Sequence, residues 1–434
     1  MNILLHSVYI ITMDEEGPTS VINGFVIIKH GEFDQVKEGK PSQEELNNAS
    51  EVINGKGKWL IPGLINTHGH LGSSLLRGAG DDIPLMKWLE TVMWPNEKTF
   101  TEDIIKKAVS LAMVEMVKSG TTTFLDMYHL HMETVAQLAQ ESEMRAVLCR
   151  GMIGLCSEKE QRNKLSEAIN LHRDVHGMNS GKITVALSPH APYTCPPSFL
   201  QMIIEKAKEN NIWIHTHLSE TEEEVIKHKE QYGLRPVEHM ERIGLFQVPC
   251  LVAHAVHLSD NEITILKENN VSVSHNPMSN LKLGSGIAPI PQMISKGINI
   301  SLGTDSTASN NNLDMFEEVR FAALLHKGIS KDPTITKTWD ILRMAMENGA
   351  KALQLQQLGK IKKGYKADFL LIDPNSAHLT PWDKDRIHSH LVYSAKGFDV
   401  SDVFVQGKQL MRSKELLFLD EEKVIYEANS FLHS

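Results

Sequence analysis

Short apolar runs that end at a polar residue recur through the middle of the chain. The first covers residues 59–65 and leads directly into His68 and His70. Short apolar runs bounded by polar residues are typical of buried strands in parallel sheets. Five later runs have the same form, and the polar residues at their ends are His190, His217, His254, His275 and Asp305. The pattern predicts strands whose carboxyl ends carry potential ligands.

Helical segments alternate with these runs, for example over residues 102–119 and 197–210. Repeated β-α units indicate a parallel sheet, and eight such strands close a barrel. A doubly wound sheet would gather its ligands at one switch point, whereas here polar residues end at least five strands. We therefore predict a (β/α)8 TIM barrel, with strands near Ile61, Thr123, Val147, Val185, Ile214, Val252, Val273 and Ile300.

Both ends of the chain show a different pattern. Near the start, residues 3–13 and 24–30 are short apolar segments, and a polar stretch follows them. Near the end, residues 367–373, 391–393 and 403–405 have the same form. Such segments are typical of strands. We expect β structure at both termini.

Length, composition and charge agree with this architecture. A chain of 434 residues can form a barrel of about 250 residues and a smaller domain, and 41% hydrophobic residues suffice for large cores. The net charge of −10 and the lack of a sustained Lys/Arg stripe argue against a nucleic-acid partner, because that binding depends on phosphate neutralisation. No run approaches the roughly 20 apolar residues of a membrane span.

The cysteines and the first residues of the chain indicate a cytoplasmic protein. The opening segment lacks the basic region of a signal peptide. The cysteines are widely spaced without a C-x-x-C pair, which predicts neither a zinc ribbon nor a disulfide framework and fits a reducing compartment. They are Cys149, Cys156, Cys195 and Cys250.

His68 and His70 form a His-x-His pair at a predicted strand end. Side chains two apart in a strand share a face, so both rings can reach one point, although an isolated pair could equally be two surface histidines in a turn. A catalytic zinc ion takes three protein ligands and keeps one position open. His68, His70, Asp305 and one later histidine would supply nitrogen and oxygen donors of that type. The pattern does not choose among the candidates, which are His190, His215, His217, His254, His257 and His275.

Motifs along the chain resemble those of the amidohydrolase superfamily. They are NTHGH at 66–70, HTHLSE at 215–220, SHNP at 274–277 and GTDS at 303–306. Within that superfamily, SPHAPY at 188–193, NLKLGSG at 280–286 and ASNNNLD at 308–314 are similar to the 5-methylthioadenosine/S-adenosylhomocysteine deaminases. The resemblance extends through residue 368. It implies a metal-dependent barrel over residues 58–363 and a small β-sandwich built from residues 1–57 and 364–434.

The resemblance also implies a metal centre with one zinc ion per subunit. Binuclear relatives add a bridging lysine at the end of the fourth strand, but here that strand ends in Ser-Pro-His, so a single metal is expected. Iron also suits nitrogen and oxygen ligands of this type. His275 then falls outside the ligand set as an orienting residue. The implied ligands are His68, His70, His217 and Asp305.

Catalytic roles follow from the same resemblance. Glu220 corresponds to the proton donor to purine N1, and His254 to the residue that orients the attacking hydroxide. Asp305 would accept a proton from water and pass it to the departing amine. We interpret residues 222–224, three further glutamates, as a solvated helix start, because acidic residues favour helix N-termini.

Substrate-binding roles are implied for three residues outside the metal centre. Glu97 matches a carboxylate that binds ribose hydroxyls, and His190 matches a residue that faces the purine. Arg150 matches an arginine that pairs with the carboxylate of the homocysteine moiety, a pairing that is bidentate and specific. Arg162 lies in an ordinary polar helical segment and is left outside the set.

These assignments predict a zinc-dependent hydrolytic deaminase. It would convert 5′-methylthioadenosine and S-adenosylhomocysteine, and adenosine as a further substrate, to the inosine analogues and ammonia. Relatives with the same metal motifs act on guanine, on another aminated heterocycle or on s-triazines, so those substrates are the alternative. A non-catalytic assembly protein is the remote alternative. The expected partners are a small nucleoside and further copies of the chain, as a homo-oligomer.

Overall fold

Strands account for two separate sheets in the computed structural model, which describes residues 2–14 and 21–433. Numbered along the described chain, the strands are β1 (Asn2–Ile11), β2 (Val21–Lys29), β3 (Glu32–Glu38), β4 (Glu51–Asn54), β5 (Trp59–Pro62), β6 (Leu64–Asn66), β7 (Thr121–Tyr128), β8 (Arg145–Met152), β9 (Ile183–Pro189), β10 (Ile214–Leu218), β11 (Cys250–His254), β12 (Ser272–His275), β13 (Ile300–Leu302), β14 (Phe369–Ile372), β15 (Val400–Val405), β16 (Lys408–Arg412) and β17 (Glu415–Leu416).

The eight strands β6 to β13 form a parallel barrel. Each pairs with its neighbour in chain order, from β6 at one side to β13 at the other. The two outer strands also meet, because the backbone N–H of Thr67 donates to the carbonyl of Leu302 at 3.0 Å. Just beyond, the N–H of Asp305 donates to the carbonyl of His68 at 2.9 Å. The barrel therefore closes beside two predicted ligands, and the predicted fold class is confirmed.

Most helices follow barrel strands. The helices are α1 (Gln43–Asn47), α2 (Leu85–Trp88), α3 (Trp94–Glu97), α4 (Glu102–Lys118), α5 (Met132–Ser142), α6 (Glu158–Val175), α7 (Met178–Gly181), α8 (Pro197–Asn210), α9 (Glu222–Tyr232), α10 (Pro236–Arg242), α11 (Asp260–Glu268), α12 (Pro277–Lys282), α13 (Ile290–Ser295), α14 (Thr307–Asn310), α15 (Met315–Ser330), α16 (Thr338–Ala345), α17 (Glu347–Ala352), α18 (Ile387–Tyr393) and α19 (Glu421–Ser430). Of these, α1, α18 and α19 follow strands of the other sheet. Among the described helices, none combines the length and apolar character needed to cross a membrane. A π-helical turn, Leu89–Met93, joins α2 to α3.

Strands from both termini form the second sheet, which has nine strands. β5 connects the two ends of the chain, because it pairs parallel to β1 and antiparallel to β14. This sheet has its own apolar cluster, which includes Ile10, Phe33, Phe369 and Phe404. The predicted β structure at both termini is therefore present as one mixed sheet. The boundaries drawn from the sequence at residues 57 and 363 stay predictions.

Two local predictions were wrong. The apolar run 59–65 is two strands, and Ile61 lies in β5 of the terminal sheet, while the first barrel strand is β6. Gly63 separates them, and a Cβ there would meet the Thr122 side chain at 2.0 Å. Residues 391–393 belong to α18 and not to a strand, because Leu391 and Val392 are buried on a helix. Continuous burial conceals the period in the first segment, and three residues are too few to show a helical period in the second.

Candidate active site

The carboxyl ends of the barrel strands place the predicted site residues on one face of the barrel. His217 lies in β10, His254 ends β11, and Asp305 follows β13. His254 has a φ of 73° and Asp305 a φ of 64°, in the left-handed region. Side chains other than glycine adopt this region at a cost of about 1–3 kcal/mol each, and such residues cluster at active sites. The backbone therefore turns these side chains inward at an energetic cost.

Backbone carbonyls determine the tautomers of two histidines. Nδ1 of His70 lies 2.5 Å from the carbonyl oxygen of Met127, and Nδ1 of His217 lies 2.6 Å from that of His190. A carbonyl only accepts, so each Nδ1 carries the proton and donates it. In the neutral form of each ring Nε2 is then a bare lone pair, and the two Nε2 atoms face each other at 3.4 Å.

A third bare nitrogen comes from a relay between two histidines. Nδ1 of His215 donates to the carbonyl of Leu251 at 3.0 Å, so its Nε2 is an acceptor. Nδ1 of His68 lies 2.9 Å from that Nε2 and must donate to it. Nε2 of His68 is then a lone pair as well, and it is buried without a hydrogen-bond partner among the described residues. His215 thus supports His68 from behind.

These bare nitrogens and a carboxylate fit a divalent cation. Potential ligand atoms of His68, His70 and Asp305 lie within 4.8 Å of one another, and so do those of His68, His217 and His254. Oδ1 of Asp305 is 3.5 Å from Nε2 of His68 and 3.2 Å from Nε2 of His70. Converging lone pairs repel unless a cation lies between them. Metal-bound histidines typically donate their other N–H to carbonyls or similar acceptors, as they do here.

Burial keeps several of these rings neutral. Burial lowers the pKa of His68 to about 4, and it lowers the pKa of His217 well below its usual value. A neutral imidazole is the form that binds a metal. At Asp305, burial opposes ionisation, but the adjacent His68 and His70 rings hold the pKa of the carboxyl well below its usual range. The donor set is therefore ready to bind a cation.

Glu220 and His254 lie together beside the histidine cluster. Nε2 of His254 is 3.8 Å from Oε2 of Glu220, while its Nδ1 is bonded to Oδ1 of Asn280 at 2.8 Å. Glu220 is buried, and this burial raises the pKa of its carboxyl, although the neighbouring His254 opposes the shift. A carboxyl that keeps its proton to higher pH can act as a general acid.

A cavity opens in front of these groups. Its inner end is formed by His70, His217, Glu220, His254 and Asp305. Its outer wall is largely apolar and comes from the segment around the π-helical turn, with Leu85, Trp88, Leu89, Met93 and Trp94. The sequence patterns gave no role to this wall. An apolar wall opposite a polar end is typical of a pocket for a small organic molecule.

Glu97 and His190 line this cavity with the catalytic candidates. The hydroxyl of Tyr128 donates to Oε1 of Glu97 at 2.9 Å, and burial raises the pKa of Glu97. The other oxygen of Glu97 is left for further hydrogen bonds. Nδ1 of His190 lies 3.0 Å from Oγ1 of Thr194, which fixes its ring. The structure therefore brings two of the three predicted substrate-binding residues to the cavity.

Arg150 and Arg162 lie outside the cavity lining. The guanidinium of Arg150 contacts the carbonyl of Gly151 at 3.0 Å and forms an ion pair with Glu167 in an adjoining small cavity. His129 lines both cavities, so the two are neighbours. Arg162 is exposed on α6 and pairs with Glu158 one turn away.

Two further residues near the site, His275 and Glu224, also had expectations from the sequence. His275 belongs to neither convergent group found among the described residues, and its assignment outside the ligand set stays a prediction. Glu224 begins α9 with its neighbours but is buried, whereas a solvated position was expected. Its carboxylate accepts from the backbone of the preceding turn. The sequence alone does not show which acidic side chain of a first helical turn folds back onto the preceding backbone.

Comparisons with known proteins agree with this geometry. The amidohydrolase family model matches residues 59–410. A 5-methylthioadenosine/S-adenosylhomocysteine deaminase of Halalkalibacterium halodurans is 51% identical over 432 residues, which cover 99% of this chain and 98% of the relative. A 5′-deoxyadenosine deaminase of Methanocaldococcus jannaschii is 46% identical over 393 residues, 90% of this chain and 92% of the relative.

A solved structure extends the comparison to three dimensions. An adenosine deaminase from Xanthomonas campestris with bound zinc matches with a TM-score of 0.92 and 30% sequence identity. The match covers 99% of this chain and 98% of that one. The chain belongs to the amidohydrolase family, and within it to the 5-methylthioadenosine/S-adenosylhomocysteine deaminases.

Proposed function

We propose that this protein is a zinc-dependent hydrolytic deaminase of 5′-methylthioadenosine and S-adenosylhomocysteine, with adenosine as a further substrate. The products are the inosine analogues and ammonia. One observation carries the proposal: the buried Glu220 and His254 meet the bare Nε2 atoms of His70 and His217 at the inner end of one cavity. The relatives named above support the choice of substrate.

His68, His70, His217 and Asp305 would hold the zinc ion. When bound, zinc lowers the pKa of a coordinated water toward about 7 and so supplies a nucleophile at neutral pH. Four nitrogen and oxygen donors fit one zinc ion per subunit, and iron would also suit them. His254 is the remaining histidine of the cluster, and its bond to Asn280 aims Nε2 at Glu220 rather than leaving the ring free.

The residues of this chain move the protons of the reaction. Water adds to carbon 6 of the purine, and the 6-amino group leaves as ammonia. Glu220 donates its proton to purine N1, which becomes basic as the ring accepts the nucleophile. Asp305 takes one proton from the water and gives it to the departing amine. The second proton of the water returns to Glu220 as the carbon 6 carbonyl forms. Positioned acids and bases of this kind typically contribute about 10²- to 10⁴-fold in rate.

Substrate recognition is assigned to the cavity walls. Glu97 would accept hydrogen bonds from ribose hydroxyls through the oxygen that Tyr128 leaves free. His190 would face the purine, and the apolar wall would contact the 5′ substituent. The Arg150 guanidinium would leave its ion pair with Glu167 and bind the carboxylate of S-adenosylhomocysteine.

The wider setting of the enzyme follows from the same proposal. All four cysteines are free thiols, which supports a location in the cytoplasm. The family resemblance supports a homo-oligomer.

Ammonia release by zinc-loaded protein tests the proposal. The panel contains S-adenosylhomocysteine, 5′-methylthioadenosine, adenosine, guanine and an s-triazine. We expect a clear preference for the thio-nucleosides. Activity on guanine or the triazine alone would contradict the substrate assignment and leave the metal chemistry standing. No activity on any of them from protein with bound zinc would overturn the proposed function.

A further inference from the structure

The two carboxylate oxygens of Asp305 have different surroundings. Oδ1 faces the histidines, at 3.5 Å from His68 and 3.2 Å from His70. Oδ2 faces away from them and contacts two hydroxyls, Oγ of Ser279 at 2.5 Å and Oγ of Ser309 at 3.0 Å. The serine hydroxyls also lie 2.9 Å apart. The carboxylate is therefore held in one rotational state, with one oxygen committed to each side.

The two serines come from separate short helices. Ser279 is in α12, and Ser309 is in α14. Both hydroxyls are almost completely buried, with Ser279 at 0% and Ser309 at 1% exposure. Neither short helix is stable alone, because isolated helices of one or two turns do not form in water. Something outside these helices must therefore keep the two hydroxyls at Oδ2.

Glu318 in α15 provides that connection. Its Oε1 accepts from the side-chain amide of Asn310 in α14 at 2.6 Å, and its Oε2 lies 3.4 Å from the backbone N–H of Met278 in α12. The same amide of Asn310 also donates to the carbonyl of Thr304 at 2.7 Å. One carboxylate thus ties both serine-bearing helices to the segment that carries Asp305.

The burial of Glu318 is energetically costly. Its side chain has 0% exposure, and no ion pair within the described residues includes it. Burial raises the pKa of its carboxyl well above the usual value, although the hydrogen bond from Asn310 opposes this shift. A buried carboxylate without a cation destabilises a fold unless its hydrogen bonds compensate. Such a residue is expected where its hydrogen bonds serve a function.

We propose that Ser279, Ser309 and Glu318 are positioning residues that hold Asp305 with Oδ1 toward the histidines and thereby set the affinity of the site for a divalent metal. The inference rests on the zinc site of the proposed function. Hydrogen-bonding partners of metal ligands typically change metal affinity 10- to 100-fold when they are removed. We expect that loss for Ser279→Ala, because its contact with Oδ2 is the shorter one. Ser309→Ala should lower the metal affinity by a smaller factor.

The zinc dissociation constant of the full-length apoprotein tests this inference. Zinc is titrated in competition with a chromogenic chelator, and the melting temperature of each apoprotein is measured in parallel. The variants are Ser279→Ala, Ser309→Ala, their double mutant and Glu318→Gln. In Glu318→Gln the new amide N–H would face the backbone N–H of Met278, so that hydrogen bond would be lost. The double mutant should lose less than the product of the single losses, because both hydroxyls act on one oxygen.

Two matched controls lie close in the chain, Ser285 just after α12 and Glu317 on α15. Ser285→Ala removes a buried hydroxyl that has no hydrogen-bond partner in the described chain, six residues after Ser279. Glu317→Gln changes the exposed neighbour of Glu318 on α15. Both controls should bind zinc within about twofold of the wild type, which is a small change on the scale of these effects.

Each outcome decides the inference. Weaker zinc binding with an unchanged apoprotein melting temperature supports positioning, and catalytic activity should then recover at saturating zinc. Zinc affinity equal to the wild type in the double mutant and in Glu318→Gln would overturn it. A loss of zinc affinity that follows a matching loss of apoprotein stability would also overturn it, because the residues would then serve the fold alone. If the wild type binds zinc but deaminates no nucleoside, the proposed substrate fails while this titration still stands.

Discussion

The backbone N–H of Glu220 donates a hydrogen bond of 2.8 Å to the carboxylate of Glu224. The other carboxylate oxygen of Glu224 accepts from the N–H of Ser219 at 3.0 Å. Ser219 has a φ of 51°, in the left-handed region, so the turn between β10 and α9 is strained. Glu224 therefore compensates that strain and fixes the backbone that carries the proposed proton donor.

Glu224→Gln should lower kcat. The glutamine has one acceptor oxygen and places an N–H against the second backbone N–H, so the turn carrying Glu220 shifts. Small displacements of a reacting group cost up to about 100-fold in rate, and we expect a loss of about 10- to 100-fold. Steady-state kinetics should show this loss with KM and zinc content unchanged. Glu223→Gln, whose carboxylate is exposed and pairs with Lys227, is the control. An unaltered kcat for Glu224→Gln would refute the role.

Glu220→Gln should retain zinc and lose most turnover. The amide has nearly the same shape but cannot donate the proton to purine N1, so we expect kcat to fall by about 10²- to 10⁴-fold. Metal analysis of the purified variant and ammonia release under saturating substrate give the two readouts. Near-normal turnover would remove the assigned role.

The pH profile gives a separate test of Glu220. Burial raises the pKa of this carboxyl above its usual value, so the protonated, donating form persists to higher pH than in an exposed glutamate. Activity that needs this form is present at pH values below the raised pKa and is lost as the pH rises through it. The wild-type profile of kcat/KM should therefore show an alkaline limb from this group. In Glu220→Gln that limb should be absent from the residual activity.

Sequence periodicity predicted the barrel because its strands are short, apolar and regularly followed by helices. It failed at residues 59–65, where β5 and β6 are both buried and the run shows no break in polarity. Only the close approach of Thr122 to Gly63 separates the two sheets. A contact between residues 59 positions apart in the chain leaves no trace in local patterning.

The site was predicted unevenly for a similar reason. The His-x-His pair has a spacing that a strand converts directly into proximity, so it could be found locally. His215 and His217 have the same parity, and no period distinguishes them. In the structure both histidines donate Nδ1 to a backbone carbonyl, and the distinction lies at Nε2. Nε2 of His217 faces that of His70 in the cluster, whereas Nε2 of His215 accepts from His68. These hydrogen-bond partners come from other strands, so the local sequence pattern does not reveal them.

His215→Phe should weaken zinc binding without removing a ligand. The ring keeps its volume in the buried site, but Nδ1 of His68 loses its acceptor and the tautomer of His68 is no longer imposed. We expect a 10- to 100-fold rise in the zinc dissociation constant, the usual cost of removing such a partner. Competition with a chelator measures it. His257→Ala is the control, since its Nε2 is bonded to the carbonyl of Ser285 and the residue is in neither convergent group of the described chain. Equal effects from both variants would contradict the relay.

Glu167→Gln should change substrate preference. The side chain of Arg150 is 16% exposed and its partner Glu167 is 56% exposed, so their ion pair is partly screened and worth at most about 1 kcal/mol. A substrate carboxylate must compete with Glu167 for the guanidinium. Removing the competing charge should raise kcat/KM for S-adenosylhomocysteine by up to about fivefold, the factor that corresponds to this energy, and leave 5′-methylthioadenosine unchanged. Arg150→Ala should reduce kcat/KM for S-adenosylhomocysteine and leave that for 5′-methylthioadenosine unchanged. Glu158→Gln, which frees Arg162 on the same helix, should alter neither. Parallel changes for both substrates would mean that the pair supports the fold of α6 and does not read the carboxylate.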